Sequence, residues 1–380
     1  MMHVLHLLDA SGGWQQRVGI CHLLDRLGED HFRQTVCGLH RRALEAWRPA
    51  GRPILVTPTR SGPMPLAAMC GNGALRSAMR RHRPDVVHAW GLDAAQRARA
   101  VWNAPLAVTC AEPRLHHAEA NAYRALADPR WSAPVAFHCL SRQIHRRLVE
   151  HGVPLESCVI IRPAVDFTVA NRARRGPLRA RLGARPGDVL VTCPDVVRHG
   201  DGIEDGIWAA SVVAEVDEAI RVAIPGTSAA RHRLGPLARR TVRPSTVMVS
   251  DPTTPYEELV AAADVLVITA REDVPVTSAA WAMASGTVVV GAAGYALTEL
   301  IAHRQNGLLF KREPDQPILS KIAPLLLDRS DYARLAEVAR GQAYEVFGLR
   351  RYADQVARAY DNLLKGVAAG EGITDSAMAG

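Results

Sequence analysis

The fold is decided by the stretch Asp264-Val-Leu-Val-Ile268, which turns through Thr-Ala-Arg-Glu-Asp-Val-Pro275 and continues as Val-Thr-Ser-Ala-Ala-Trp-Ala-Met-Ala-Ser-Gly286 and Thr-Val-Val-Val-Gly291. An uncharged apolar run that ends in a proline turn is typical of a buried parallel strand. The small residues from Thr277 to Gly286 predict a helix, which Thr277 or Ser278 can cap and which Gly286 ends. A strand, a helix and a second strand in this order predict a parallel α/β sheet.

The turns of this stretch carry groups that suit a phosphate and a sugar. The amide N–H groups of Val276, Thr277 and Ser278 stand at the predicted helix N-terminus, where the positive end of the helix dipole favours an anion. Glu272 and Glu299 each follow a predicted strand, which is where open α/β sheets place their ligand. Spacing alone leaves a second interpretation open, in which both are ordinary solvated turn residues.

Alternating strands and helices run through both halves of the 380-residue chain. Strands are predicted at 3–8, 34–39, 53–57, 85–89, 105–109, 135–140 and 158–161, and then at 188–192, 219–224, 246–249, 265–269 and 287–291. A chain of this length exceeds what one core supports, and an arginine-rich break lies near 165–187. We place two α/β domains at 1–168 and 169–349, an amphipathic helix at 350–365, and a tail at 366–380 that is expected to fray.

Motifs distributed over most of the chain resemble those of the family-4 (group 1) retaining glycosyltransferases. In the donor-site region they are Glu272-Asp-Val-Pro275, Ala282-Met-Ala-Ser-Gly286, Gly294, Glu299 and Asn306-Gly307. Elsewhere they are Gly12-Gly13, Arg83-Pro-Asp-Val-Val-His88, Cys139-Leu-Ser141, Ile161-Arg-Pro-Ala-Val-Asp166, Pro255-Tyr-Glu-Glu-Leu259 and Tyr360. The resemblance implies the GT-B architecture, in which two Rossmann-like domains face each other across a cleft and the C-terminal helix crosses back to the first.

The same resemblance implies an activity. Such an enzyme moves a sugar, as a hexosyltransferase does, from a nucleoside diphosphate sugar to a glycan or a lipid-linked acceptor in glycan biosynthesis. The configuration at the transferred carbon is retained, and no metal ion or cofactor is required because fixed cations and dipoles neutralise the leaving diphosphate. The nucleotide sugar is a co-substrate.

Roles for individual residues follow from the resemblance. Glu272 would contact the donor sugar, with Asp273 as the alternative first acidic residue. The other residues expected to bind the donor would contact the nucleotide or its phosphates. They are Gly12, Gly13, Arg198, His199, Val276, Thr277, Ser278 and Glu299. On the acceptor side the candidates are His88 and His116, for which packing or solvent exposure is the alternative.

The sequence departs from the family where the chemistry would take place. The position of the family's second donor-site glutamate falls on Trp281 or Ala280, and Trp281 either stacks on a ring or packs in the core. Asp195 and Asp201 stand where two cations would clamp the diphosphate. A second interpretation is therefore a catalytically degenerate relative that acts as a binding or partner subunit in glycan assembly, and a nucleotide-sugar epimerase is a third.

Composition and charge narrow the partners. The net charge of +8 comes from scattered arginines with no nucleic-acid-binding module, so no nucleic acid is expected. A pI near 9.4 allows weak peripheral association with an anionic membrane, although no segment is long and apolar enough to span one. Seven cysteines without paired spacing, and a strand that starts at the N-terminus, favour a cytoplasmic protein, in peripheral contact with the inner membrane face at most. No histidines and cysteines at metal-ligand spacing occur, so no metal site is predicted.

Overall fold

The computed structural model describes residues 1–8, 13–39, 54–56, 64–111, 117–174, 177–195, 202–226, 234–236, 246–270, 276–313 and 315–374. Within these ranges the chain divides into two compact α/β units. The first unit comprises Met1–Pro163 together with the C-terminal segment that begins at Leu349, and the second comprises Ala164–Gly348. The division lies a few residues before the sequence-based boundary at 168–169.

The first unit is built on a parallel sheet of seven strands. They are β1 (Met2–Leu8), β2 (Phe32–Gly38), β3 (Ile54–Val56), β4 (Val86–Trp90), β5 (Leu106–Cys110), β6 (Val135–Cys139) and β7 (Cys158–Ile160). The α-helices of the described residues between them are α1 (Trp14–Arg26), α2 (Met64–His82), α3 (Leu92–Val101), α4 (His117–Leu126) and α5 (Arg142–Glu150). The sheet order is β3-β2-β1-β4-β5-β6-β7, the doubly wound order of a Rossmann-like unit. Strands β4, β5 and β6 are buried at every residue, which explains why apolar residues dominate them without alternation.

The second unit repeats this plan with six strands. It contains α6 (Phe167–Arg174), α7 (Leu178–Arg181), β8 (Val189–Thr192), α8 (Ile203–Val216), β9 (Ile220–Ile224), β10 (Val247–Val249), α9 (Tyr256–Ala262), β11 (Val265–Ile268), α10 (Val276–Ser285), β12 (Val288–Ala292), α11 (Tyr295–Thr298), β13 (Leu308–Phe310), α12 (Ile318–Leu327) and α13 (Tyr332–Val346). The sheet order is β10-β9-β8-β11-β12-β13, and all neighbouring strands are parallel. The predicted α/β class with two Rossmann-like units is therefore confirmed.

The strands agree with the sequence-based prediction except at one edge of the second sheet. Each predicted strand is present, with its ends within two residues of the expected positions. Strand β13 was not predicted, although the equally short strands β3, β7 and β10 were. Its pairing with β12 places it at the edge of the second sheet.

Helix α10 fulfils the prediction made from its small residues. All ten of its residues are buried, so only small side chains allow neighbouring helices to approach it on every side. Gly286 ends the helix with φ +73°, a left-handed conformation that glycine adopts without strain. Trp281 is 1% exposed, which places it in the core of the second unit.

The last helix, α14 (Leu349–Lys365), packs on the first unit, as expected for a helix that returns there. It contacts α1, β5 and β6 through a buried stripe that includes Tyr352, Val356, Tyr360 and Leu363. This spacing of three and four residues is the apolar face that the sequence predicted.

The first part of the predicted tail, residues 366–374, makes defined hydrogen bonds with the first unit. The amide of Ala369 donates to the carbonyl oxygen of Glu156 at 2.8 Å, which fixes the segment to the residues before β7. Asn362 and Gln355 of α14 donate to further carbonyl oxygens of the segment. A polar composition therefore did not prevent order, because the backbone groups found partners. The remainder of the predicted tail, 375–380, lies outside the described residues.

Two further properties concern the residues that the structure describes. None of their helices combines the length and apolar character needed to cross a membrane. Six of the seven cysteines, namely Cys21, Cys37, Cys110, Cys139, Cys158 and Cys193, are free thiols, and all of these except Cys21 are buried.

Candidate functional site

The candidate site lies at the carboxyl edge of the second sheet. In a parallel sheet of this order, ligands bind beyond the strand ends close to the point where the strand order reverses, here between β8 and β11. Asp195 follows β8, Thr269 follows β11, Gly294 follows β12 and Arg312 follows β13. Since all these strands are parallel, the residues that follow them share this edge.

The first turn of α10 brings backbone donors to this edge. Val276, Thr277 and Ser278 are 4%, 3% and 0% exposed, so the first turn of α10 is buried in the protein. The first amide N–H groups of a helix have no acceptor within the helix. Their assignment to donor phosphates stays a prediction.

Glu299 occupies a different local position from the one expected. It does not follow β12 directly but forms the C-cap of α11, and its side chain is partly buried. The backbone beyond it is fixed by Asn306, whose Oδ1 accepts from the amide of Ala302 at 2.8 Å and whose Nδ2 donates to the carbonyl oxygen of Leu300 at 2.9 Å. The role of Asn306 in the motif is therefore structural, because it holds the turn that follows Glu299.

Asp195 is buried rather than open to the edge. Its side chain is 6% exposed and lies near Tyr256, whose hydroxyl donates to the carbonyl oxygen of Cys193 at 3.0 Å. Burial, reinforced by the Asp195 carboxylate, holds the pKa of Tyr256 well above its usual value. The structure thus places Asp195 in the packed layer beneath the edge. Asp201, at the second altered clamp position, lies outside the described residues.

Arg312 is a basic residue of this edge that the sequence analysis did not single out. Its Nη1 donates to the carbonyl oxygen of Thr269 at 2.7 Å, and its Nη2 pairs with Oδ2 of Asp205 at 2.5 Å. The guanidinium thereby connects the ends of β11 and β13 to the first turn of α8. Its position just after β13 could have identified Arg312 as a candidate, but β13 itself was not predicted from the sequence.

Gly13 is the described part of the Gly12-Gly13 pair and caps α1. Its φ of −60° is accessible to any residue, and a Cβ built on it meets no atom within 4 Å. Neither the backbone nor packing therefore requires glycine at this position.

His88 lies inside the first sheet, with no exposed surface. Its Nδ1 shares a hydrogen bond of 2.6 Å with the Tyr360 hydroxyl, and its Nε2 shares one of 2.7 Å with Oγ1 of Thr109. Burial, together with the neighbouring His138 and His6, holds the pKa of His88 well below its usual value. Because both ring nitrogens are occupied and buried, His88 is a packing residue that ties α14 to the sheet. The expectation of a direct contact with the acceptor is corrected accordingly.

Several predicted site residues are outside the part of the chain that the structure describes. They are Gly12, His116, Arg198, His199, Glu272 and Asp273. Among the described residues, no group of three or more histidine, cysteine or acidic side chains could hold a metal ion.

Comparisons with known proteins were made on sequence and on structure. The sequence profile of Glycosyltransferase Family 4 matches residues 16–169, and that of Glycosyl transferases group 1 matches residues 178–342. The two matches fall on the first and second units respectively. No curated protein sequence matches significantly.

Solved structures share the fold at low sequence identity. HepE of Anabaena in complex with UDP-glucose is 18% identical with a TM-score of 0.76, and the alignment covers 95% of this chain and 100% of that one. Sucrose-phosphate synthase from Thermosynechococcus elongatus is 15% identical with a TM-score of 0.73, covering 96% and 100%. The UDP-GlcNAc 2-epimerase from Neisseria meningitidis bound to UDP-GlcNAc is 13% identical with a TM-score of 0.63, covering 96% and 100%. At these identities the likeness concerns the fold alone.

Proposed function

We propose that this chain, whose two units match the profiles of Glycosyltransferase Family 4 and Glycosyl transferases group 1, is a glycosyltransferase that transfers a sugar from a nucleoside diphosphate sugar to a glycan or lipid-linked acceptor with retention of configuration. The observation that carries the proposal is the first turn of α10, whose side chains are buried at the edge where a parallel sheet binds its ligand. That turn lies inside the segment matched by the group 1 profile. A fold shared with a 2-epimerase does not distinguish the two activities, whereas the profile favours transfer.

The donor is proposed to bind at the second unit. The N–H groups of Val276, Thr277 and Ser278 would face a phosphate, since the positive end of a helix dipole favours an anion at the helix N-terminus. Glu299, held by the Asn306 turn, would accept hydrogen bonds from the nucleotide. Glu272, with Asp273 as its alternative, would contact the sugar. UDP is the first nucleotide to test because the similar structure of HepE contains UDP and glucose.

Charge stabilisation is the main chemical task of such a site. When the sugar leaves, negative charge develops on the diphosphate, and oriented N–H groups stabilise it without rearranging. Arg198 and His199 would add positive charge, so the reaction as proposed uses neither a metal ion nor a cofactor. Gly13 of the first unit is compatible with close approach of a diphosphate, because among the described residues neither local strain nor packing accounts for a glycine there.

The proposal is tested first by the thermal stability of the purified protein with UDP, GDP, ADP and their sugar conjugates. A ligand at about a hundredfold over its dissociation constant adds ~2.7 kcal/mol to the free energy of unfolding. Glu299→Gln should reduce the shift, because it keeps the shape but weakens acceptance from ribose hydroxyls. Glu337→Gln is the matched control, since Glu337 is exposed on α13. Absence of any shift at millimolar nucleotide would contradict donor binding and favour a partner subunit without turnover.

Retention and acceptor class need a separate measurement. With the nucleotide identified, the product formed on a soluble glycan or on a lipid-linked sugar should show by NMR the same anomeric configuration as the donor. An inverted product would refute retention while leaving sugar transfer intact. Transfer in the presence of a chelator would support metal independence, and a requirement for added divalent cation would refute it.

A further inference from the structure

The first unit contains a cavity of about 250 Å³ that the proposed activity does not use. We name it the Arg99 cavity. It is formed near the amino ends of β6 and β7 by the end of α3, the segment before β6 and the turn after α14, and its lining includes Arg99, Trp131, Ala133, Glu156, Val367 and Ala368. Ligands of parallel α/β sheets bind beyond the carboxyl ends of the strands, so this cavity lies at the opposite end of its sheet.

Arg99 is a buried cation that no acidic side chain neutralises among the described residues. Arg99 is only 5% exposed. Nη1 donates to the carbonyl oxygen of Ala104 at 3.2 Å, and Nη2 donates to those of Ala133 at 2.9 Å and Leu126 at 3.3 Å. Nε has no acceptor within the described part of the chain. The three carbonyl oxygens satisfy hydrogen bonds but leave the guanidinium without an acidic counterion.

The acidic residues that line the cavity do not supply the missing charge. Asp128 is already paired with Arg130, whose Nη2 lies 2.7 Å from Oδ2 of Asp128. Glu156 is exposed at the rim. Burial by itself lowers the pKa of Arg99 to about 10, with no acidic neighbour acting on it. A buried charge without a counterion is costly, and this cost falls when an anion binds.

Trp131 provides a fixed aromatic surface beside this charge. Its Nε1 donates to the carbonyl oxygen of Ala125 at 3.0 Å, which sets the ring orientation. The Cζ of Arg99 lies 5.3 Å from the ring centroid, and the residue remains 41% exposed. An exposed indole next to a buried guanidinium offers apolar contact and a charge-assisted hydrogen bond at once.

We propose that the Arg99 cavity binds a small organic anion, a carboxylate or a phosphate ester, whose charged oxygens meet Arg99 and whose ring or apolar body rests on Trp131. The planar guanidinium fork suits both groups. The cavity is below the range of roughly 300–1,000 Å³ that is usual for drug-sized ligands, so the ligand is small. The inference does not depend on the donor or acceptor of the proposed transfer.

The test uses the full chain with three probes of similar shape: benzoate, phenyl phosphate and the neutral benzamide. Ligand-observed NMR titration should give saturable binding of at least one anion, with a dissociation constant of about 1 mM or lower. Benzamide should bind at least about tenfold more weakly, which is ~1.4 kcal/mol. Binding of benzoate alone would identify a carboxylate ligand, and preferential binding of phenyl phosphate would identify a phosphate ester.

Two variants connect the binding to the cavity. Arg99→Gln should weaken anion binding at least about tenfold, whereas Arg97→Gln should not, because Arg97 lies on the same helix but pairs with Asp93 at 3.0 Å. If Arg99→Gln does not fold, Ala368→Phe decides. Ala368 is an exposed wall residue, so a phenyl ring there blocks the cavity without altering the core, while Ala368→Ser should leave binding unchanged.

The proposal is overturned if neither anion binds saturably up to about 10 mM, which corresponds to less than ~3 kcal/mol. It is also overturned if binding survives in both Arg99→Gln and Ala368→Phe. The nucleotide-dependent thermal shift, measured on the same preparations, reports the second unit independently. Loss of one response with the other intact therefore shows which of the two proposals fails.

Discussion

Three histidines in the interior of the first sheet predict that this protein loses stability steeply below pH 6.5. His6, His88 and His138 are 0%, 0% and 2% exposed on β1, β4 and β6. Burial lowers the pKa of His6 to about 4 and that of His138 to about 3, and holds that of His88 well below its usual value. In the unfolded chain each has a pKa of about 6.5. At a pH just below 6.5, a histidine of the unfolded chain therefore binds a proton, whereas all three histidines of the folded protein remain neutral.

The direction and size of the effect follow from this difference. Below pH 6.5 the unfolded chain binds protons that the folded chain does not, so the free energy of unfolding falls until the pH reaches the folded pKa values. Between pH 7.5 and pH 5, one such histidine costs about 2 kcal/mol, from 1.36 kcal/mol per pKa unit over about 1.5 units. Three together cost up to about 6 kcal/mol, which is comparable with the whole stability of many domains.

The variant His138→Leu isolates one of the three. Neither ring nitrogen of His138 has a hydrogen-bond partner among the described residues, so an apolar side chain of similar size loses no hydrogen bond there. At pH 7.5 the variant should be at least as stable as the parent, by up to ~1–3 kcal/mol. Its loss of stability between pH 7.5 and pH 5 should be about 2 kcal/mol smaller.

Urea unfolding followed by circular dichroism at the two pH values measures both quantities. His31→Gln is the control, because His31 is exposed and lies outside the buried histidine cluster. If His138→Leu loses as much stability at pH 5 as the parent does, proton exclusion from the buried cluster does not explain acid sensitivity. The reasoning is then refuted even if the variant is more stable at pH 7.5.

Two further predictions concern packing. Gly206→Ala should destabilise the second unit by roughly 1–3 kcal/mol, because the added Cβ would lie 2.3 Å from Oγ1 of Thr269. Gly341→Ala is the control and should stabilise the protein by up to ~1 kcal/mol, because Gly341 lies on an exposed helix face and an added Cβ meets no described atom within 4 Å. Equal effects of the two variants in urea unfolding would contradict the close contact at Gly206. Tyr360→Phe should cost about 1–3 kcal/mol because it leaves Nδ1 of His88 buried without its partner, and unchanged thermal stability would show that the hydrogen bond does not contribute.

The sequence predicted the strands well because parallel buried strands leave a strong signal. Runs such as Val265–Ile268 and Val288–Ala292 are uninterrupted and apolar, and turn residues bound them. Helix α10 was equally predictable, since small residues between two such runs favour a helix that ends at a glycine. Strand β13 was missed, and its place at the edge of the sheet is known only from its ladder with β12.

The candidate site was less predictable than the fold. His88 matched a family motif, but the motif cannot show that Tyr360, 272 positions later, occupies its Nδ1. Arg99 gave no signal at all, because its acceptors are carbonyl oxygens up to 34 residues away and any sequence provides those. Local patterns specify elements, whereas the partners of buried polar groups depend on which elements the topology brings together.

The way in which α14 completes the first unit has a consequence for biosynthesis. Leu349 follows Pro163 by about 185 residues, so at roughly 5–20 residues per second the ribosome needs roughly 10–40 s to reach the helix after finishing the first sheet. During that interval the surface of β5 and β6 that α14 later covers remains open. The first unit therefore emerges first but is completed last, and in the meantime it is exposed to chaperones and to premature association. A stop codon just before residue 349 would remove α14 and so damage the N-terminal half of the molecule.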